Sequence, residues 1–174
     1  TSVSGTKMVA VGVSAMGTGN VTTAADGTVA IGYSSLTALT SGVENTAIGY
    51  NAGLALTTSR SNTILGYSAM HRATTAADYN TAIGAQAMNG AFSTADVNFC
   101  VAVGYASLQG ILTSAASGVT AVGYASLANM TSGTGNSALG HQSGGNLTTG
   151  SRNLAIGHNA GLEETDGSDN TILG

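Results

Sequence analysis

The side chains best suited to chemistry in this 174-residue sequence are tyrosines and histidines that recur at one position of a repeated motif. Each follows a glycine that ends an aliphatic segment, as in AIGY and AIGH. Aromatic rings offer flat apolar faces and polar tips, so a column of them can bind a carbohydrate or receptor, or can pack at a subunit contact. The column consists of Tyr33, Tyr50, Tyr67, Tyr105, Tyr124, His141 and His158. Both interpretations stay open, and the subunit contact is favoured because the rings share a strand face with the aliphatic residues.

Two other groups of side chains have the composition of a metal site. His141 and His158 lie one repeat apart, and imidazole is a common metal ligand, but no carboxylate or cysteine recurs beside them. Residues Glu163–Asp169 contain four carboxylates of the kind that bind Ca²⁺, without the nine-residue rhythm of calcium-binding repeats. The sequence therefore predicts an ordinary polar ladder and a solvated turn, with no metal and no cofactor.

The sequence carries no recognisable catalytic motif. The strings GxSxG, HExxH and GxxxxGK[ST] are absent, and a lone Cys100 excludes both an intrachain disulfide and a cysteine-based zinc site. Cys100 stands where most repeats have a turn asparagine, so we expect it to be a buried substitute. Asn20, Asn129 and Asn146 each begin a glycosylation pattern, which chance explains in a chain this rich in Asn and Thr. We predict a protein that is not an enzyme.

The low content of charged residues and the short apolar stretches bear on two classes of partner, nucleic acid and membranes. Charged residues make up 7% of the chain, against about a quarter in ordinary soluble domains. Four dispersed Lys and Arg residues provide no basic patch for phosphates, so nucleic acid is not expected as a ligand. The longest nearly apolar stretch, Phe99–Leu108, is about half of the roughly 20 residues that cross a bilayer, so membrane insertion is not expected either.

The chemistry-bearing residues are positioned by a repeat that covers nearly the whole chain. An aliphatic residue followed by glycine recurs about every 17 to 20 residues, a period within the range of solenoid repeats. We call these the strand glycines: Gly12, Gly32, Gly49, Gly66, Gly84, Gly104, Gly123, Gly140, Gly157 and Gly174. Such a unit is too short to bury its own apolar face, so neighbouring units must stack. Residues 1–174 are therefore predicted to form a single solenoid of about ten repeats.

Alignment on the strand glycine shows which positions are constrained. The preceding residue forms an aliphatic ladder: Val11, Ile31, Ile48, Leu65, Ile83, Val103, Val122, Leu139, Ile156 and Leu173. Four residues before the glycine, six units have a turn asparagine: Asn45, Asn62, Asn80, Asn136, Asn153 and Asn170. Each unit is predicted to contain a strand of about five residues, such as Thr46–Tyr50, then a short helical turn or bend carrying Leu or Met, such as Ala52–Leu56, and a polar turn. The fold class is all-β, a parallel β-solenoid.

The predicted strand has two unlike faces. Alternation puts Thr46, Ile48 and Tyr50 on a bulky face, and Ala47 and Gly49 on a nearly flat one. Both faces are suited to contact, but only one can point into the interior of a single solenoid. Together with the low charge, this indicates self-association into a closed symmetric oligomer.

The motifs resemble the repeats of phage and prophage tail-fibre proteins, and are similar to the head repeats of trimeric autotransporter adhesins. The segments that carry the resemblance are AIGY and AIGH cores followed by NAG, SSL or ASL and then LTSG or LTTG, from about Val9 to Gly174. The resemblance implies a left-handed parallel β-roll or related solenoid, with three chains side by side. It also implies a virion tail fibre or an extracellular, cell-surface location. Because the repeats of adhesin heads are shorter than these units, the present spacing favours the fibre.

The leading hypothesis is a structural and adhesive segment of a longer trimeric fibre protein, acting as spacer and as attachment to a host-surface receptor or glycan. Receptor contact is expected at the longer units, around Ala73–Tyr79 and Ala91–Asn98. The alternatives are a bacterial trimeric adhesin head, an ice-binding solenoid with a broken threonine array, and, as the weakest, a fibre depolymerase.

Overall fold

The computed structural model describes residues 7–17, 25–74, 77–90, 92, 97–112 and 116–174. Ten short strands form one parallel sheet in which every strand pairs with its neighbours in sequence, so each repeat is one coil of a β-solenoid. The strands are β1 (Val9–Val11), β2 (Val29–Ile31), β3 (Thr46–Ile48), β4 (Thr63–Leu65), β5 (Thr81–Ile83), β6 (Val101–Val103), β7 (Thr120–Val122), β8 (Ser137–Leu139), β9 (Leu154–Ile156) and β10 (Thr171–Leu173). The predicted parallel β-solenoid is confirmed.

Each strand is shorter than predicted because the strand glycine ends it. Gly49, for example, has a φ of +140°, a backbone conformation that side chains with a Cβ rarely adopt. A Cβ there would lie 2.5 Å from the carbonyl oxygen of Gly66 in the next coil. The same crowding recurs along the column, so the glycine is required by coil stacking as well as by its backbone angle.

The segment after each strand was predicted to be a helical turn or a bend, and the helical alternative is wrong. In the segment after Gly49, residues Asn51 and Gly53 have positive φ values of 55° and 60°, and the equivalent residues of other coils behave alike. A left-handed residue at every second position prevents a run of right-handed helical residues. Instead, the backbone amides bond to adjacent coils: Ser34 donates to the Val13 carbonyl and Leu36 donates to the Ala52 carbonyl, at 2.9 and 3.0 Å.

The interior of the solenoid is built from the small strand face and the apolar residues of the turns. The central residue of each strand points inward, as Ala47 and Ala102 do, and both are fully buried. The Leu or Met residues four positions after the strand glycine fill the space opposite, and these side chains are buried as well: Met16, Leu36, Met70, Met88, Leu108 and Leu127. A third buried column contains Leu39, Leu56, Phe92, Leu112, Met130 and Leu147. The core is therefore a narrow aliphatic cylinder.

The bulky strand face points outward. The ten residues of the aliphatic ladder are in register from strand to strand, and six of them have between 36% and 69% of their surface exposed: Val11, Ile31, Leu65, Leu139, Ile156 and Leu173. We call the surface formed by the first and third residues of the strands the outer strand face. Its exposure gives a single chain an apolar stripe along its whole length.

Candidate functional site

The Tyr and His residues after the strand glycines form stacked columns on the surface. Tyr33, Tyr50 and Tyr67 make one run, with ring centroids 5.0 and 5.5 Å apart and planes within 15° of parallel. A second run contains Tyr105, Tyr124, His141 and His158, with spacings of 5.5, 4.8 and 4.8 Å. We call the two runs the ring column. Parallel stacking follows from the in-register strands, which set successive rings about one strand spacing apart.

The ring column presents edges rather than faces to solvent. Tyr50 has a ring on either side and is 47% exposed. Because each internal ring is covered above and below by its neighbours, its apolar faces are not available to a ligand. Only a ring at the end of a run can offer a face, which makes the ends of the runs the positions where stacking on a ligand is possible.

The ring column is interrupted at one coil. Ala85 occupies the ring position between Tyr67 and Tyr105, so the two runs end on either side of it. The break falls among the longer units, because the intervals between four successive strand glycines all exceed the commonest interval of the chain: Gly66, Gly84, Gly104 and Gly123. The first interval, from Gly12 to Gly32, is also longer, and its glycine is followed by Val13. Between Tyr33 and His158 the column is altered at Ala85.

The histidine pair does not have the geometry of a chelating site. The rings of His141 and His158 are stacked 8° from parallel, with centroids 4.8 Å apart. Two nitrogens bound to one Zn²⁺ at about 2.1 Å each lie at most about 4.2 Å apart, and stacked rings do not converge on a common point. Among the residues that the structure describes, no three His, Cys, Asp or Glu side chains are grouped so that they could hold a metal ion.

The acidic segment before β10 is occupied by local interactions. The Asp169 carboxylate forms a two-point ion pair with Arg152 of the preceding coil, at 2.6 and 2.8 Å, and this guanidinium lowers the pKa of Asp169. Glu164 accepts a hydrogen bond from the Gly167 amide at 2.7 Å. These carboxylates stabilise turns, and they do not converge on a cation position.

The turn asparagines form a buried hydrogen-bonded ladder. Asn62 donates its amide to the Ala77 carbonyl at 2.7 Å and to Asn45 Oδ1 at 3.0 Å, and its own Oδ1 accepts from the Asn80 backbone at 2.9 Å. Each side chain therefore satisfies backbone groups of the following coil, which water cannot reach. The Asn136, Asn153 and Asn170 run repeats the pattern. These residues hold the coils together rather than contacting a ligand.

Cys100 continues the first asparagine run. Its backbone amide donates to Asn80 Oδ1 at 2.9 Å, and its thiol donates to the Ala116 carbonyl at 3.0 Å, the role that the asparagine amide plays elsewhere. The side chain is fully buried. Burial raises the pKa of the thiol, while hydrogen bonds from the backbone of Val119 and Gly118 act in the opposite direction.

Cys100 is expected to make the folded chain less stable in alkaline solution. The folded chain keeps the thiol protonated to a higher pH than the unfolded chain, whose thiol ionises near about pH 8.5. The free energy of unfolding should therefore decrease as the pH rises above that value. Urea unfolding followed at pH 7 and pH 10 measures the effect. In Cys100→Asn, which supplies the ladder with its usual amide, this part of the pH dependence should disappear, and an unchanged dependence would contradict the assignment to Cys100.

A second pair of stacked rings escaped the sequence analysis. Tyr79 and Phe99 lie five residues before their strand glycines, with centroids 5.2 Å apart and planes 2° from parallel. Both are exposed, at 48% and 64%, and both have a left-handed backbone. Alignment on the strand glycines places them in one column, which is the signal that would have found them. Like the break at Ala85, the pair lies among the longer units between Gly66 and Gly123.

The predicted receptor loops and glycosylation patterns lie partly outside the described residues. Within the two loops expected to contact a receptor, residues 75, 76, 91 and 93–96 lie outside the described residues, as does Asn20. Asn129 is exposed, and its amide donates to Asn146 Oδ1 at 3.1 Å. Within the described ranges, no helix has the length and apolar character needed to cross a bilayer.

Comparisons with known proteins identified no relative of this chain. Protein-family models, curated proteins and solved structures all gave no match to this chain.

Proposed function

We propose that this chain is a structural and adhesive segment of a homotrimeric tail fibre or related surface fibre, acting as a spacer and as an attachment to a host-surface receptor or glycan. The observation that carries the proposal is the aliphatic ladder on the outer strand face, which is continuous over ten strands and has six of its ten residues exposed. An apolar stripe of this extent is unusual on a monomer in water and is typical of an interface.

The charge distribution favours a second copy of the chain as the partner of this face. In every coil, the stretch from three residues before the strand glycine to four after it contains no Asp, Glu, Lys or Arg. A partner must therefore be uncharged along the same length and must match the pitch of the coils. Another copy of the same solenoid meets both conditions, and symmetry lets all copies bury the same stripe. The resemblance to fibre and adhesin repeats implies three copies.

The proposed attachment to a host-surface receptor or glycan depends on multivalency. A stiff stack of coils holds surface features at fixed spacing, and three chains present each feature three times. Linked weak contacts then bind far more tightly than any one of them. A bacterial trimeric adhesin head would use the same geometry, and a membrane-anchor domain in the full-length gene would favour that alternative.

The oligomeric state tests the proposal. We expect light scattering to give a mass near three times 16.9 kDa and a rod-like shape. In the double variant Leu65→Lys with Leu139→Lys, charges on the outer strand face should dissociate the trimer while each chain stays folded, because both side chains already point outward in the single chain. Far-ultraviolet circular dichroism checks the fold.

Thr149→Lys provides the control, since this exposed residue lies outside the outer strand face. It should leave the mass unchanged. A wild-type chain that is a compact monomer at tens of micromolar would overturn the trimer, and a double variant that remains trimeric would show that the interface lies elsewhere.

An ice-binding solenoid is a second candidate because of the first residue of each strand. Thr46, Thr63 and Thr81 are in register on consecutive strands of the outer face. The array is interrupted by Val101 and Leu154. Thermal hysteresis at micromolar protein would support this candidate, and its absence would remove it.

A further inference from the structure

The break in the ring column is a gap of one ring between two aromatic faces. The amide of Gln86 donates to the Tyr67 carbonyl at 2.8 Å, and the amide of Ala106 donates to the Ala85 carbonyl at 3.0 Å. These bonds keep adjacent coils in register, so Tyr67, Ala85 and Tyr105 occupy consecutive levels of one column. From Tyr33 to His158, the seven other levels of the column carry a ring, and this level carries a methyl group.

The gap has the thickness of one flat ring. Adjacent rings elsewhere in the column are 4.8 to 5.5 Å apart, and Tyr67 and Tyr105 are separated by two strand spacings, about 9.6 Å. A ring inserted at the level of Ala85 would lie about 5 Å from each, which is the spacing that the column already uses.

We propose that this ring gap, between Tyr67 and Tyr105 above and below Ala85, is a subsite for one pyranose ring of a neutral glycan. A pyranose has apolar C–H faces and a rim of hydroxyl groups. The gap supplies an aromatic face on each side and is open to water at its edge, so both parts of the sugar are accommodated.

The surroundings favour a neutral, hydrogen-bonding ligand. The stretch around each strand glycine lacks Asp, Glu, Lys and Arg at this level as at every other, so its own residues do not select for charge. The residue after Ala85 is Gln86, whose side-chain amide is the type of donor and acceptor that sugar hydroxyls use. Its Oε1 accepts a hydrogen bond from Gln109 Nε2 at 3.2 Å.

The position of the gap within the chain also points to recognition. A spacer needs only regular coils, but here the missing ring, the exposed Tyr79–Phe99 pair and the longer units coincide on the coils of Gly84 and Gly104. The inference deepens the proposed attachment role, on which it rests, by naming a ligand class and a place.

Filling the gap tests the subsite. Ala85→Tyr should complete the column and block the ligand, using a residue type that the column already accepts. Val13→Tyr is the matched control, because it adds a ring at the ring position of the first described coil and leaves the gap open. The probes are cellotetraose, chitotetraose and methyl β-D-galactopyranoside, with p-cresol as a purely aromatic ring. Saturation-transfer NMR and tyrosine fluorescence report binding directly, since the chain has no tryptophan.

We expect at least one of the sugars to bind the wild type, and Ala85→Tyr to weaken that binding by about tenfold or more through the loss of two stacking faces. Val13→Tyr should bind like the wild type. No sugar binding at millimolar concentrations, or binding that Ala85→Tyr leaves unchanged, would overturn the inference. Binding of p-cresol alone, blocked by Ala85→Tyr, would also overturn it and would assign the gap to an aromatic side chain of a protein partner.

Light scattering on the same samples separates this inference from the fibre proposal. A trimer that binds none of the sugars overturns the glycan subsite and leaves the fibre intact. A monomer whose sugar binding is blocked by Ala85→Tyr overturns the fibre and supports the subsite.

Discussion

Gly104→Ala is expected to lower the free energy of unfolding by about 4 kcal/mol, the sum of backbone strain and overpacking at about 1 to 3 kcal/mol each. Gly104 has a φ of +129°, and a Cβ there would lie 2.5 Å from the carbonyl oxygen of Gly123 and 2.7 Å from its carbonyl carbon. Since the obstructing atoms are backbone in a stacked coil, neither side can move without breaking the register. For a chain of this length the melting temperature should decrease by about 10 °C.

Gly118→Ala is the matched control for this prediction. Its φ is +67°, and nothing lies within 4 Å of an added Cβ. Only the left-handed backbone then opposes alanine, at about 1 kcal/mol, and Ala106 and Ala125 already adopt that conformation in this chain. Thermal unfolding of the two variants should therefore separate stacking from backbone strain. Equal losses would show that the contact with the next coil is unimportant.

Asn62→Ala is expected to be as damaging as the glycine replacement. The substitution leaves the Ala77 carbonyl and the Asn80 amide without the side chain that satisfies them. Asn62 is 1% exposed, so water does not replace the lost partners. At about 1 to 3 kcal/mol for each unsatisfied buried group, the free energy of unfolding should decrease by about 4 kcal/mol in denaturant titrations.

Asn129→Ala supplies the comparison, because Asn129 also bonds to an asparagine of the next coil but is exposed. Its loss should change stability by less than about 0.5 kcal/mol. Asn62→Asp adds a pH readout, since the carboxyl oxygen that replaces the amide nitrogen would face two acceptors, the Ala77 carbonyl and Asn45 Oδ1. This buried carboxyl should ionise at a higher pH than in the unfolded chain. That variant should be more stable near pH 4 than at pH 7. A variant equally stable at both values would contradict the proposed burial.

The coil architecture was predictable because it depends on spacing. Aliphatic residues before glycine at a nearly constant interval require a stack, and short units with Thr, Val and Ile before glycine favour strands. The turns were predicted only in part, because the helical alternative for them was wrong. Leu36 and Met70 suggested a helical turn by residue type, but both have positive φ values, and non-glycine residues adopt that conformation only where neighbouring coils hold the backbone.

For the buried asparagines, too, the sequence predicted one part of the structure and missed another. Their recurrence identified a turn position, because asparagine stabilises turns through bonds to the main chain. The sequence did not reveal that Asn45 and Asn62 bond to each other and to the next coil, since that depends on the register of stacked coils. Cys100 was expected to be buried as their substitute, and the structure shows it buried with a thiol bonded in the same place.

The sequence alone determined that residues recur in columns, including the aliphatic ladder, the rings and the absence of charge beside the strand glycines. Only the tertiary structure decided which face of each strand is inside. Alternation makes the two faces equally regular, and the choice follows from side-chain volume. The Leu and Met side chains of the turns already fill most of the narrow interior, so small residues such as Ala47 fit opposite them. The larger Ile64 is buried next to Gly53, which has no side chain. The bulky residues are therefore outside, and with them the ring gap at Ala85.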